Sequence, residues 1–299
     1  MNNISAVIVV KDNPLHLFET ISSVQNFAKE IIVADIGIDS SLLSKLAKNK
    51  KVKIVTIKKK VPYVELIREE LKQYASEGYL LYLDPDEVLP ETLKKILEAE
   101  YRKYNYIKMP RKNMIFGKWI QRSRWWPDYQ VRLFKRDSVT WPKEIHKQPQ
   151  VKGNGYTIEA EEQCAILHYN YESVDEFMQK MSRYAKSEAG ELSSFSLSEA
   201  LKKGLSEFIS RYFADEGYKD GLHGFVLAFL QMFYYFLVYV YYWERKKYEE
   251  SSLESLQSNI SEFFKNGLHE TNHWLIQKKL VRGFAALKAR IHNNLSKLI

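Results

Sequence analysis

Cysteine is almost absent. Cys164 alone can neither close an internal disulfide nor supply a thiolate zinc cluster, which excludes a secreted disulfide scaffold and fits a reducing compartment. Glycine and proline are scarce, 12 and 8 in 299 residues, so collagenous and low-complexity classes fall away. Charge is not of one sign: the 27% charged residues are mixed, which argues against disorder, and 45% hydrophobic residues suffice for a core in one or two domains. The amino terminus lacks a basic stretch ahead of its short apolar run and meets Lys11 and Asp12 too soon for a signal peptide, so a cytoplasmic location is expected.

Acid is missing in two places. Between Lys45 and Lys60 stand eight lysines and no carboxylate, and none follows Glu270. With 45 Lys+Arg against 37 Asp+Glu, the net charge of +8 suits an anionic partner such as phosphate or anionic lipid. Nucleic acid is not expected: zinc-finger, RNP and KH signatures are lacking, and a lysine run around a strand is ordinarily a solvated face.

What is present in the first ninety residues alternates between two periods. The apolar run Ile4 to Val10 reads as a strand covered on both faces, and Asn13-Pro14 then opens a helix with Leu17, Phe18, Ile21, Val24 and Ala28 at three- and four-residue steps. Strands follow at Glu30 to Asp35, Val52 to Ile57 and Tyr79 to Leu83, separated by helices at Ser41 to Lys48 and Val64 to Ala75. Such a β-α-β series predicts an α/β fold with a mainly parallel sheet, whose ligands bind at the carboxyl ends of the strands, where Asp35 and Asp84 stand. From Glu91 to about Tyr171, shorter strands such as Tyr104 to Met109 and Tyr129 to Phe134 alternate with aromatic, basic loops, a sheet extension carrying a site. After Ser173 the pattern is helical. The expected domains are therefore 1–171 and 172–299.

Leu83-Asp84-Pro85-Asp86-Glu87 places two carboxylates at i and i+2, which share a face on extended backbone and suit a hard divalent cation such as Mg²⁺ or Mn²⁺ bridging to diphosphate oxygens. The same five residues also suit an acidic turn before a helix. Asp35 and Arg68 suit either a nucleotide pocket or an ordinary cap and surface ion pair. Trp125-Trp126 fits sugar stacking as well as core packing, and Asp128 fits a general base as well as a turn residue after Pro127. His269-Glu270-Thr271-Asn272-His273 matches the zinc-protease pattern H-E-x-x-H, but no downstream carboxylate completes a zinc site and positions 276 and 279 are Ile and Lys.

The strand Ile4 to Val10, Val33-Ala34-Asp35 with Gly37 and Asp39, Arg68, and Leu83 to Glu87 together resemble the family 2 glycosyltransferases of the GT-A fold, inverting enzymes that use nucleotide sugars. A narrower resemblance is to the bacterial lipopolysaccharide-core β-glucosyltransferases. It rests on Lys11-Asp12-Asn13, Trp126 to Phe134, Ile145-His146, Arg211-Tyr212-Phe213, Gly217 to Gly221 and Tyr239 to Glu244. The resemblance implies a GT-A domain followed by a helical region, and metal-dependent transfer of a hexose from a UDP-linked donor to a glycolipid or surface-glycan hydroxyl. It implies donor contacts from Lys11, Asp35, Arg68 and Asp84, and metal ligation by Asp84 and Asp86. Trp126, Gln130 and Arg132 would line the acceptor or diphosphate side, and Asp128 would act as base with Glu144 and His146 in reserve. The family's glutamate after the histidine is Lys147 here, which keeps open a non-catalytic nucleotide-sugar-binding or scaffold role.

Leu222 to Trp243 is free of Asp, Glu, Lys and Arg, and as a helix it is about 33 Å long, enough to cross a bilayer. Its ten aromatic residues and the basic residues after it favour a helix lying in or against the inner membrane face, with a buried helix or a span as alternatives. Trp274, Leu280, Phe284, Leu287, Ile291, Leu295 and Leu298 form an apolar stripe expected on the last helix, flanked by basic residues that suit an anionic membrane. The alternative is that this stripe packs on the protein's own helices.

Overall fold

The computed structural model describes residues 2–59, 61, 64–142 and 148–295. Contacts divide the chain into two compact units, 1–114 with 127–170, and 115–126 with 171–299.

The first unit is built on a sheet. Strands β1 (Ile4–Asp12), β2 (Glu30–Ile38), β3 (Val52–Thr56) and β4 (Tyr79–Leu83) alternate with helices α1 (Leu17–Gln25), α2 (Ser40–Leu46) and α3 (Glu65–Leu71). After β5 (Glu87–Val88) and α4 (Glu91–Glu100) comes the long β6 (Tyr106–Ile115). The short β7 (Lys118–Trp119) lies in the segment that clusters with the second unit. Then follow β8 (Asp128–Lys135), β9 (Val139–Thr140), β10 (Gln150–Val151), β11 (Gly155–Thr157) and β12 (Ile166–Tyr171). The main sheet runs β3-β2-β1-β4-β8-β6-β12-β5, with β11 alongside β6. It is parallel from β3 to β4 and turns antiparallel where β8 joins β4 and β6 joins β8. The expected α/β class, a Rossmann-like sheet followed by helices, is what the chain adopts, and the antiparallel part is the anticipated extension.

The unbroken apolar runs have a simple cause. Ile4, Ala6, Ile8 and Val10 enter one core with α1, α2 and α4, while Val7 and Val9 enter another with Ile67 and Leu71 of α3. Strands covered on both faces must be apolar at every position.

The second unit holds α5 (Val174–Glu191), α6 (Leu197–Ile209), α7 (Leu222–Arg245), α8 (Leu253–Gln277) and α9 (Gly283–Leu295). Ser173, Ser196 and Ser252 cap α5, α6 and α8 by accepting backbone N–H bonds, and Ser196 with Glu199 completes a capping box. Gly204 lets α6 approach α7, since a Cβ there would lie 2.8 Å from the Met232 carbonyl oxygen. The expected stripe on one last helix is divided: Trp274 belongs to α8, the chain breaks at Lys279 (φ +56°), and α9 begins at Gly283 (φ +56°).

Among the described residues, α7 is the one helix long and apolar enough to cross a membrane, with a mean hydropathy of 1.7 over its most apolar window. It packs along α5 and α6. Its tyrosines bond into α5, Tyr234 donating to Glu188 and Tyr241 pairing with Ser182, and α5 itself carries Lys180, Arg183, Lys186 and Glu188. A span would carry these charges into hydrocarbon, which is costly.

Candidate active site

The carboxyl ends of β1, β2, β3 and β4 lie on one sheet edge, with Val10 opposite Asp35, Asp35 opposite Thr56, and Ile8 opposite Leu83. Lys11 is exposed there. Asp35 is buried: Oδ1 accepts the N–H groups of Gly37 (2.9 Å) and Ile38 (2.8 Å), and Oδ2 accepts the Thr56 hydroxyl (3.2 Å). Its carboxylate thus shapes the last residues of β2, which runs three residues beyond Asp35 and where Gly37 has φ +126°, a conformation that side chains rarely tolerate.

Asp84 and Asp86 do not share a face on extended backbone as expected. Strand β4 stops at Leu83, and residues 84–87 form a turn closed by a hydrogen bond from the Glu87 N–H to the Asp84 carbonyl (3.1 Å). Proline at 85 ends the strand by withholding a ladder N–H. The turn is held from outside by the Thr20 hydroxyl, which donates to the Pro85 carbonyl (3.0 Å), and by the Tyr169 N–H, which donates to the Asp86 carbonyl (3.0 Å). The Glu87 carboxylate holds it from inside by accepting the Asp84 N–H (3.1 Å).

Around this turn, three guanidiniums meet three carboxylates. Arg132 of β8 donates to Asp84 (2.5 Å) and to Glu87. Arg68 of α3 donates to the other Asp84 oxygen (3.2 Å), its guanidinium 5.0 Å from the Trp141 ring centre. Arg111 of β6 donates to Glu87 (3.1 Å) and, through Nε and Nη2, to Asp128 (2.9 and 2.5 Å). Glu87 and Arg132 are almost wholly buried, so the balance of charge is what allows them there. Burial pushes the Asp84 carboxyl up, but Arg132, Arg68 and Arg111 outweigh it and hold Asp84 well below the ordinary carboxylate range.

Asp128 and Gln130 alternate on β8 and face the same way, Gln130 Nε2 donating to Asp128 Oδ1 (2.9 Å), whereas Arg132 falls at a register shift between Val131 and Leu133 that interrupts the alternation. The same geometry works against Asp128 as a base. Burial raises its pKa, but Arg111, Asn113 and Gln130 more than offset this and lower it, which leaves a weak proton acceptor. Glu144 and His146 lie outside the described residues.

Four participants had no role assigned from the sequence. Arg111 and Asn113 extend β6 past Met109, where the sequence placed its end, and alternate so that both reach Asp128; the Asn113 amide lies 3.1 Å from it. Asn113 Oδ1 in turn meets His168 Nδ1 of β12 at 2.6 Å, and His168 Nε2 lies 3.7 Å from Asp86. Glu87 was visible within the acidic motif, but nothing local showed that it would be buried between two arginines.

Trp126 belongs to the second unit, edge-on to Trp119 with ring centres 5.3 Å apart, and Trp125 packs against a cluster containing Ile115, Ile120 and Phe177. The loop before them is held by the residues of the narrower resemblance. Asp220, buried, accepts the Gln121 (3.3 Å) and Arg122 (2.8 Å) N–H groups, and Arg211 donates to the Ser123 carbonyl (2.9 Å). Ser123 and Arg124 both have positive φ, +61° and +66°, a strained pair that this clamp over-determines. Gly224 is obligatory beneath it, since a Cβ there would meet the Gly217 carbonyl oxygen at 1.8 Å.

Among the described residues, no three His, Cys, Asp or Glu side chains are grouped to hold a metal ion. Mg²⁺ commonly takes one or two protein carboxylates and completes its shell with substrate phosphate and water, so such a grouping is not required. Asp84, with both oxygens on guanidinium groups, fits that role poorly. Asp86, beside His168, fits it better.

No family model matches the chain. Among solved structures it is similar to the bifunctional IspDF from Campylobacter jejuni, at 12% identity and a TM-score of 0.38 over 56% of this chain and 52% of that one. Residues 1–349 of S. aureus TarS align over 98% of this chain and 88% of that one, at 12% identity and a TM-score of 0.40. TarS 1–349 in complex with UDP-GlcNAc aligns over 77% and 81%, at 14% identity and a TM-score of 0.37. The chain spans about half the length of IspDF, and 45% of a longer TarS structure. Likenesses this distant carry no residue role across.

Proposed function

We propose that the protein is an inverting, GT-A-type glycosyltransferase that moves a hexose from a nucleotide sugar, most simply UDP-linked, to a hydroxyl of a glycolipid or surface glycan. The observation that carries this reading is the acidic turn Asp84 to Glu87, neutralised by Arg68, Arg111 and Arg132 at the sheet edge where ligands of such folds bind. In this reading Asp35 and Thr56 bound the nucleoside side of that edge, and Lys11, exposed near the end of β1, is a donor contact. A Mg²⁺ or Mn²⁺ ion at Asp86 would draw charge from the departing diphosphate. Arg68 and Arg111, already ordered by Asp84 and Glu87 and still partly exposed, offer positive groups that need little rearrangement when phosphate arrives.

An inverting transfer also requires a carboxylate or imidazole at the acceptor hydroxyl. Asp128, pinned by Arg111, serves better to fix β6 against β8 than to accept that proton, and the role passes to Glu144 or His146.

Purified protein with Mn²⁺ and a panel of nucleotide sugars provides the test. The wild type is expected to transfer or hydrolyse one donor, and Asp86→Ala to lose about 10³-fold in turnover with its thermal midpoint unchanged. Donor binding without transfer or hydrolysis would instead assign a binding or scaffold role. Normal turnover in Asp86→Ala would remove the metal from this position.

A further inference from the structure

In a globular helical unit the large apolar side chains of a terminal helix turn inward. Here they turn outward. Helix α9 is docked on α8 through Ala289 and Asn293, whose amide donates to the His269 carbonyl (3.0 Å), while Phe284 is 81% exposed and Leu287 and Ile291 stay half-exposed. Helix α8 contains no buried residue, and Leu253, Ile260, Phe264 and Leu268, at seven- and four-residue steps, form an exposed stripe. Leu222, Phe225, Phe229 and Phe236 form a third along α7. Helical periodicity sets Glu262 on the side of α8 opposite its stripe, where it is paired with Lys202 of α6 (3.2 Å), and Glu270 on the stripe's flank.

Charge decides what covers this surface. From Leu253 to Leu295 the chain has six basic residues, Lys265, Lys278, Lys279, Arg282, Lys288 and Arg290, against three acids, Glu254, Glu262 and Glu270, and after Glu270 it has none. A second copy of the chain would bring two such basic rims together. A plane of anionic lipid complements them, each lysine or arginine near it adding about 1 kcal/mol, while the aromatic residues suit the headgroup boundary.

We infer that α8, α9 and the exposed edge of α7 form a surface that lies flat on an anionic bilayer, their apolar stripes entering the headgroup layer without crossing it. This surface stands on the helices alone and is independent of the proposed glycosyl transfer.

Full-length protein is sedimented with vesicles of phosphatidylcholine, and with vesicles of equal parts phosphatidylcholine and phosphatidylglycerol. Binding is expected only to the second, weakening with salt, and falling about tenfold or more in Phe264→Ser/Phe284→Ser and in Lys279→Glu/Lys288→Glu. Circular dichroism checks that both variants are folded, and because the two pairs are chemically distinct, failure of one to fold leaves the other decisive. Equal binding to both vesicle types, wild-type binding by the variants, or a dimer dissolved by Phe264→Ser/Phe284→Ser in a protein that ignores vesicles would each overturn the inference. The last outcome would give the face to a second copy.

Discussion

The two units invert the usual partition of residues in opposite directions. The sheet unit buries charged and polar groups: Glu87 and Arg132, with Asn113 and His168 beside them, are nearly inaccessible at the edge of an otherwise apolar core. The helical unit exposes large apolar side chains on α7, α8 and α9. Each departure is unfavourable by itself, and each becomes tolerable only with a partner, the arginine network in one case and an external surface in the other. The two penalties differ in kind. Buried charge must be balanced inside the molecule, whereas exposed apolar area is tolerated until something covers it.

Substitutions chosen to break that contrast should differ most in stability. Glu87→Gln leaves Arg132 and Arg111 short of a buried counter-charge and should cost about 3–5 kcal/mol, whereas Phe284→Ser on the exposed stripe should stay within about 0.5 kcal/mol; chemical denaturation of both variants measures the difference. A comparable loss at both positions would mean that α9 is packed rather than exposed.

The next contrast lies inside the sheet unit, between positioning and proton transfer. Under conditions where the wild type turns over, Glu144→Gln or His146→Gln should lower kcat by about 10²-fold or more, while Asp128→Asn should lower it less than about tenfold. A larger loss at Asp128 with unchanged donor affinity would restore it as the base.

The smallest effect is on acid stability. Asp84 and Asp128 bind protons less tightly when folded than when unfolded. Their contribution is therefore complete above the unfolded carboxylate pKa of about 3.9 and is lost as pH falls below it towards the folded values. The thermal midpoint of the wild type should drop more steeply below about pH 4 than that of Asp128→Asn, in which one of these titrations is removed.

The sequence alone determined the first half of the fold because its signals are local and redundant. An apolar run covered on both faces can only be an interior strand, and Pro85 marks the end of β4 within two residues, whereas α1 begins at Leu17, three residues beyond the Pro14 expected to open it. The acidic motif and Asp35 were likewise legible, since their positions follow from strand ends. What only the tertiary structure decided depends on strand pairing across the chain: that β8 enters beside β4 and so delivers Arg132 to Asp84, 48 residues away, and that β6 delivers Arg111 to Glu87 and Asp128. Periodicity likewise revealed the stripe of Phe284, Leu287 and Ile291, but three- and four-residue spacing reads the same whether the face it marks is covered or bare. That the stripe lies bare was settled by α9 docking on α8 through Ala289 and Asn293, because burial is a property of neighbours and not of the helix that needs them.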